Sequence, residues 1–158
     1  MAIGNAVLTV SAQCAGAGDY EQVKYYAKKL HIIIYGLMIV CCLGVIAALP
    51  AVLHVYSLSA EATAMTEDII VYHGICCMII WPIAFTLPNV LRASNDVAFC
   101  MILSILSMWI CRIGMSYVLG VRMGFGVFGV WVAMTMDWVV RAIFFVLRYR
   151  SGKWQHQM

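Results

Sequence analysis

Charged residues are scarce in this chain. Of its 158 residues, 11% are Asp, Glu, Lys or Arg and 65% are hydrophobic, whereas about a quarter of the residues in soluble domains are charged. This scarcity excludes a disordered tail, which is rich in charge and poor in apolar residues. A nucleic-acid-binding protein is also excluded, because the net charge of +3 is small and is spread between hydrophobic runs. The composition predicts a protein that contacts the lipid bilayer.

Proline is rare as well, with three residues, and the seven cysteines lack the C-x-x-C spacing of a zinc site or a redox motif. Each cysteine lies in or beside an apolar run, as expected of small residues that fill helix faces. The sequence contains no recognisable cluster of His, Asp and Glu for a metal and no nucleophile spaced with a base. It therefore predicts neither an enzyme nor a protein that holds a metal or an organic cofactor.

Long hydrophobic runs are abundant, and charged residues separate them. A helix crosses the ~30 Å hydrocarbon core with about 20 apolar residues. The predicted segments span residues 2–17, 30–53, 69–91, 97–121 and 123–147. Because the first is too short to cross comfortably, the expected fold is an all-α transmembrane bundle of four full spans and one partial span, forming a single domain over residues 1–158.

Basic residues are distributed unevenly between the two sides of the predicted bundle. If the segments alternate in direction, seven basic residues lie on one side and Arg122 lies alone on the other. The positive-inside rule then predicts a multi-pass protein of the plasma (inner) membrane with a cytoplasmic C-terminus. In this orientation the short first segment begins within the bilayer, so we expect further helices before Met1. The seven residues are Lys24, Lys28, Lys29, Arg92, Arg148, Arg150 and Lys153.

Three charged residues lie inside predicted spans, where insertion of each costs about 2.5–3.5 kcal/mol. A short glycine-containing turn joins spans four and five, so these helices are adjacent and antiparallel. Arg112 lies 11 residues before Met123 and Asp137 lies 14 residues after it, a difference of ~4.5 Å along the axis. Arg141 follows Asp137 by one turn on the same face. The sequence predicts a buried Arg112–Asp137–Arg141 cluster, which is either a structural clamp or a site that exchanges a proton or a sodium ion.

Polar residues and one proline in other spans are further candidates. Asn5, Thr9 and Gln13 recur every fourth residue and form one helical stripe, which either hydrogen-bonds a neighbouring helix or lines a wet cavity. His73 lies in the outer third of span three and serves either a proton path or helix packing. Pro82, near the middle of the same span, removes a backbone hydrogen bond and predicts a kink or a hinge.

Several stretches of the sequence resemble motifs of one transporter family. Residues 11–19, SAQCAGAGD, resemble the "GQ-x-x-GAG" helix end of the multidrug and toxic compound extrusion (MATE) transporters. Residues 88–96, PNVLRASND, resemble the family's "LRG-x-GD" turn, and residues 107–113, 129–134 and 137–138 resemble its last two helices. The chain departs from these motifs at Ala12 and Asn95, where the family has glycine. Span three also lacks the carboxylate that some members use to bind their cation.

The resemblance implies part of a twelve-helix antiporter with two six-helix lobes, of which this chain supplies most of the C-terminal lobe. Such proteins export cationic or amphiphilic drugs in exchange for H⁺ or Na⁺, by alternating access through a cavity between the lobes. The expected partners are therefore the bilayer, small cationic or amphiphilic substrates and the missing N-terminal lobe. No cofactor is expected other than the coupling ion, H⁺ or Na⁺. The alternatives are a related flippase for lipid-linked or polysaccharide substrates and a non-transporting membrane remnant.

Overall fold

The computed structural model describes residues 2–56 and 59–156, and these form six α-helices. Helix α1 spans Ala2–Gly16, α2 Tyr20–Tyr56, α3 Ala60–Ile79, α4 Trp81–Ala93, α5 Val97–Ser107 and α6 Gly126–Arg150. Two π-helical segments, Met108–Met115 and Val118–Arg122, extend α5, and a short 3-10 helix, Lys153–His156, follows α6. Because the described residues contain no strand, the predicted all-α fold is confirmed.

Four helical stretches are long and apolar enough to cross a membrane, namely Tyr20–Tyr56, Ala60–Ala93, Val97–Arg122 and Gly126–Arg150. Helix α1 has 15 residues and reaches about 22 Å, less than the ~30 Å hydrocarbon core. Large apolar side chains such as Ile32, Val40 and Ile110 are exposed on the outer faces of α2 and of the extended α5. Such faces suit contact with lipid, so the bundle is a polytopic membrane protein, as the sequence predicted.

The helix ends are set by caps and glycines as well as by the limits of the apolar runs. Helix α2 begins at Tyr20, well before the predicted span, because Asp19 Oδ1 accepts a hydrogen bond of 3.0 Å from the backbone N–H of Gln22 and so caps the helix. Helix α6 begins at Gly126 rather than three residues earlier. The φ angles of +73° at Gly124 and +54° at Gly126 are incompatible with a continuous α-helix through the turn.

Helix α4 is the centre of the bundle, where it packs against the other five α-helices. More than half of its residues are buried, including Pro82, Ala84 and Thr86. The Asn89 Nδ2 group on α4 donates a hydrogen bond of 2.9 Å to the Gly4 carbonyl, which joins α4 to α1. Helices α1 and α2 pack together on α4, while α6 packs against α3, α4 and the extended α5. The inward face of α6 is therefore covered by protein rather than by lipid.

The end of the fourth span is π-helical. In a π-helix the backbone hydrogen bonds run between residues five apart, so one turn holds more residues than an α-helical turn. Gly129 on α6 lies directly against this segment, since a Cβ added there would lie 2.8 Å from the carbonyl carbon of Leu119. Close approach of two membrane helices is typically made by such small residues. Glycine at position 129 thus sets the distance between α6 and the π-helical backbone.

Candidate functional site

Asp137 lies in the middle of α6 and has no exposed surface. Arg141 follows it by one helical turn, and Arg141 Nε donates a hydrogen bond of 3.0 Å to Asp137 Oδ1. The structure thus brings together two of the three residues in the predicted charged cluster. An isolated charge is costly at this depth, and the pairing of the carboxylate with the guanidinium reduces that cost.

Groups on α4 and α5 complete the surroundings of this pair. Ser107 Oγ donates to Asp137 Oδ1 and lies 3.3 Å from the Asp137 carbonyl oxygen. Arg141 Nη2 donates to the Ser104 carbonyl at 3.1 Å, and the guanidinium carbon lies 5.7 Å from the centre of the Phe85 ring. Asp137 Oδ2 is buried and has no hydrogen-bond partner among the described residues. The pair therefore joins α6 to α5 and α4 while one carboxylate oxygen stays available.

The predicted position of Arg112 in this cluster needs correction. Arg112 is exposed, and no ion pair joins it to Asp137 in the part of the chain that the structure describes. The prediction assumed 3.6 residues per turn, but Arg112 lies in the π-helical segment Met108–Met115, where the wider turn changes which residues face α6. Its neighbour Cys111 is buried instead.

Ser107 is a site residue that the sequence interpretation missed. It lies 16 residues before Met123, so it matches the depth of Asp137, 14 residues after that point, better than Arg112 does at 11 residues before it. Residue counting could therefore have identified it. The charged residues were selected because a charge is costly to insert into the membrane. The uncharged hydroxyl of Ser107 does not have this cost and was therefore not selected.

His73 lies between two aromatic rings of α6. The centre of its ring is 4.8 Å from that of Trp131 and 5.3 Å from that of Trp138. Its Nε2 atom lies 3.4 Å from Cys77 Sγ, and its Nδ1 atom is buried without a partner among the described residues. These contacts place His73 at the packing interface between α3 and α6. Its part in a proton path stays a prediction.

Helices α3 and α4 are two parts of one span, and they meet at Ile80, two residues before Pro82. On α2, the Tyr35 hydroxyl donates a hydrogen bond of 3.0 Å to the carbonyl of Ile79, the last residue of α3. A break in a membrane helix needs such a replacement partner for the carbonyl groups that it frees. The structure therefore has a helix break beside Pro82, while movement about it stays a prediction.

The polar stripe on α1 faces away from the described bundle. Asn5, Thr9 and Gln13 are all exposed. Thr9 Oγ1 donates to the Asn5 carbonyl at 3.0 Å, a bond within the helix. In the described parts of the chain, no hydrogen bond joins any of the three side chains to another helix. The opposite face of α1 packs against α2 and α4 and includes the buried residues Val7, Ser11 and Ala15.

A second ion pair, with a buried carboxylate, lies where α2 begins and α6 ends, which we call the basic end. Arg148 donates to both carboxylate oxygens of Asp96, from Nε at 2.7 Å and from Nη2 at 3.1 Å. Its guanidinium carbon also lies 4.9 Å from the centre of the Phe99 ring. This pair joins the turn between α4 and α5 to the end of α6. The basic end carries Lys24, Lys28, Lys29, Arg92, Arg148, Arg150 and Lys153.

The chemistry open to the Asp137 site is proton exchange or ion pairing. Among the described residues, no group of three or more His, Cys, Asp or Glu side chains could hold a metal ion. As a carboxylate, Asp137 forms an ion pair with Arg141; as a neutral acid, it forms only hydrogen bonds. These two forms differ in how strongly α6 is held to α5 and α4, so they can favour different arrangements of the helices.

Known proteins share sequence features with most of this chain. A family model described as MatE matches residues 1–118, about three quarters of the chain. Over 66 residues the chain is 36% identical to "Uncharacterized transporter YisQ" of Bacillus subtilis (strain 168), a match that covers 42% of this chain and 14% of that protein. Over 144 residues it is 22% identical to "Probable multidrug resistance protein NorM" of Bacillus licheniformis, covering 90% of this chain and 32% of that protein.

The chain thus spans about a third or less of the length of these curated relatives. No solved structure matches it.

Proposed function

The chain belongs to the MatE family, and on that basis we propose that it is part of an antiporter that exports organic cations and other drugs in exchange for an ion. One relative is named a transporter and the other a probable multidrug resistance protein, so both names point to transport rather than to catalysis. Four helices able to cross a membrane provide the setting that such transport requires.

The observation that carries this proposal is the burial of Asp137 within a membrane-crossing helix. Its side chain has no exposed surface, its Oδ1 is bound by Arg141 and Ser107, and its Oδ2 has no partner among the described residues. An ionisable group at this depth is by default a candidate for an ion or proton pathway. Proton uptake at Oδ2 neutralises the carboxylate, weakens its bond to Arg141 and loosens α6 from α5 and α4. The coupling ion and the exported drug then both shift the same equilibrium between two arrangements of the helices.

A proton suits this site better than a sodium ion does. Arg141 already places a positive charge 3.0 Å from the carboxylate. A sodium ion beside the same carboxylate would be repelled by that guanidinium, and it would also need several oxygen ligands. A proton binds to a single oxygen atom and displaces nothing. We therefore propose H⁺ as the coupling ion.

The positive-inside rule supports an orientation in which the basic end lies in the cytoplasm and the bundle spans the plasma membrane. A preceding N-terminal lobe would complete a twelve-helix transporter. In that arrangement the exposed stripe of Asn5, Thr9 and Gln13 lines the drug cavity between the two lobes. Bending near Pro82 accompanies the change from outward to inward access.

Efflux from cells that lack other drug exporters tests this proposal. The chain is expressed in its native reading frame, and the export of ethidium, a permanent organic cation, is followed by fluorescence under an imposed proton or sodium gradient. We expect Asp137→Asn, whose amide resembles the neutral acid, to reach the membrane at the wild-type level but to lose most of its proton-driven export, because an amide cannot take up the coupling proton. The exposed carboxylate of Asp68 gives the matched control, and Asp68→Asn should retain export.

Each of three results would contradict the proposal. Loss of Asp137→Asn from the membrane assigns Asp137 to a structural clamp. Export that follows the sodium gradient alone excludes proton coupling. Transfer of a lipid-linked precursor in the absence of ethidium export identifies a flippase instead.

A further inference from the structure

A cavity of about 370 Å³ opens at the basic end, between α2, α4 and α6. Its wall is almost entirely apolar and includes carbon atoms of two lysine side chains near the start of a membrane-crossing helix. We propose that this cavity, here called the lysine cavity, binds an anionic phospholipid, with the phosphate beside the two lysine ammonium groups and the apolar part of the lipid in the cavity. It is lined by Lys24, Ala27, Lys28, His31, Leu87 and Tyr149.

The sequence of α2 explains why these groups converge. Lys24, Lys28 and His31 lie at positions i, i+4 and i+7, so they share one helical face. That face lies beside the buried Ala27, where α2 packs against Leu87 of α4. Long side chains at the edge of a packed face extend their polar ends toward the membrane surface. The spacing therefore places both ammonium groups at the level expected for lipid phosphates.

The two lysines can accept a ligand without loss of the fold. Lys24 Nζ donates to Glu21 Oε1 at 2.8 Å, but the Glu21 side chain is 85% exposed and that of Lys24 is 41% exposed, and pairs at the surface contribute little to stability. Lys28 is exposed, and its ammonium group has no hydrogen bond or ion pair among the described residues. Among the described residues of the basic end, three side-chain carboxylates, those of Asp19, Glu21 and Asp96, accompany the seven basic residues. A phosphate group can thus displace Glu21 and bind between the two lysines.

His31 supplies a further polar group about one turn deeper. Its Nδ1 lies 2.7 Å from the Ala27 carbonyl oxygen, which accepts the ring N–H. Its Nε2 is buried without a partner among the described residues, although buried polar atoms normally bind another group or an ordered water. A lipid whose phosphate lies between the lysines places its glycerol and ester groups at this depth. Nε2 can then accept a hydrogen bond from a water held by those groups.

The surroundings of the cavity favour a lipid over a free anion. Beyond His31, α2 exposes Ile32, Ile33 and Leu37, a surface along which acyl chains can lie. Tyr149 stacks on Trp154 with their ring centres 5.3 Å apart, and aromatic residues of this kind are enriched at the membrane–water interface. Inorganic phosphate would use the lysines alone, whereas a phospholipid also uses the apolar face.

Native mass spectrometry of the full chain in detergent tests this proposal. The probes are dioleoyl phosphatidylglycerol, which is anionic, and dioleoyl phosphatidylcholine, which is not. We expect retained phosphatidylglycerol and no competition from phosphatidylcholine. A basic residue near an anionic headgroup contributes about fivefold to binding, so Lys24→Gln with Lys28→Gln should weaken phosphatidylglycerol binding about 25-fold.

Lys29→Gln is the matched control, because Lys29 is exposed and adjacent to Lys28 but points its Nζ over the Tyr25 ring, 5.5 Å from the ring centre. We expect it to change binding by no more than about twofold, as for a distant surface charge. Equal losses in the control and the lysine-cavity variants would overturn the proposal in favour of a diffuse surface potential. Full displacement by millimolar inorganic phosphate would overturn it in favour of a free-anion site. If the double variant does not fold, Lys28→Gln alone should still lower binding about fivefold.

Discussion

The Tyr35 hydroxyl on α2 donates a hydrogen bond of 3.0 Å to the carbonyl of Ile79, where α3 ends. Pro82, three residues later, has no backbone N–H, and lipid offers no partner for a carbonyl that the helix leaves free. In an α-helix the missing N–H of Pro82 would bond the carbonyl of Met78, and at the same break α2 supplies a donor to the next carbonyl, that of Ile79. The position of the break could be predicted from the proline, whereas the donor depends on how α2 packs against α3.

Tyr35→Phe should weaken the bundle without changing its helix content. The substitution removes one bond between helices, and such bonds contribute about 0.6 kcal/mol on average and up to about 1.7 kcal/mol in membrane proteins. We expect the free energy of unfolding, measured by SDS titration, to fall within that range. Tyr117→Phe is the matched control at an exposed tyrosine and should have no measurable effect. An unchanged stability of Tyr35→Phe would mean that water or another group satisfies the Ile79 carbonyl.

Asp96→Asn should destabilise the protein far more than the loss of an exposed carboxylate. Asp96 is 5% exposed and binds Arg148 through both oxygens. Because 19% of the Arg148 side chain is exposed, the unpaired guanidinium can reach water, and we expect the cost of lost charged hydrogen bonds, about 1.5–3 kcal/mol. Glu21→Gln, which removes the exposed partner of Lys24, should cost less than about 1 kcal/mol. SDS titration of both variants gives the comparison, and similar losses would show that the Asp96–Arg148 pair is not stabilising.

Asn95→Gly should be tolerated, whereas Asn95→Ala should destabilise the turn between α4 and α5. Asn95 has φ of 65°, a left-handed conformation that costs most residues about 1–2 kcal/mol and glycine almost nothing. Asparagine adopts it more readily than alanine does. We expect thermal unfolding to place the alanine variant about 1 kcal/mol below the glycine variant. The opposite order would assign the role of residue 95 to its side-chain contacts.

The Asn95 turn also explains why a departure from a family motif leaves the fold intact. The chain has asparagine at position 95, where the LRG-x-GD motif that it resembles has glycine. The structure gives this residue a positive φ, which asparagine is among the few non-glycine residues to adopt. A glycine at this position would meet the same backbone requirement in this chain, and only the structure makes that requirement visible.

Local rules account for what the sequence predicted well. The contact of Asp137 with Arg141 follows from one helical turn of spacing, and the membrane-crossing helices follow from the length of the apolar runs. Predictions of contacts between side chains on two different helices were less accurate. Arg112 was predicted to contact Asp137 from its depth along an ideal α-helix. It lies instead in a π-helical segment, which no residue pattern in the sequence predicts. The bond from Arg148 to Asp96, 52 residues away, likewise depends on the packed bundle.

Gly129→Ala should disturb the contact between α6 and the π-helical end of the fourth span. The added Cβ would lie 2.8 Å from a backbone carbon of Leu119, and backbone atoms cannot move aside as a flexible side chain can. Overpacking of this kind costs about 1–3 kcal/mol. Gly36→Ala is the control, since no atom lies within 4 Å of a Cβ added there, and it should be neutral or stabilising by up to about 1 kcal/mol. Equal stability of the two variants in SDS titration would show that α6 can shift without cost.

Arg141→Gln and Arg112→Gln distinguish the observed contact of Asp137 from the one predicted by residue counting. Arg141→Gln leaves a fully buried carboxylate without its guanidinium and should cost about 3–5 kcal/mol in SDS titration. Arg112→Gln changes an exposed side chain and should stay within about 0.5 kcal/mol of the wild type.

The double variant Arg141→Gln with Asp137→Asn should recover most of the loss caused by Arg141→Gln, because no buried charge then lacks a partner. The contrary outcome is equally specific. If Arg112→Gln is the costly substitution and Asp137→Asn rescues it, the bilayer must rotate the fourth span so that Arg112 faces α6. The exposed position of Arg112 would then belong to the other side of the conformational equilibrium in which Asp137 takes part.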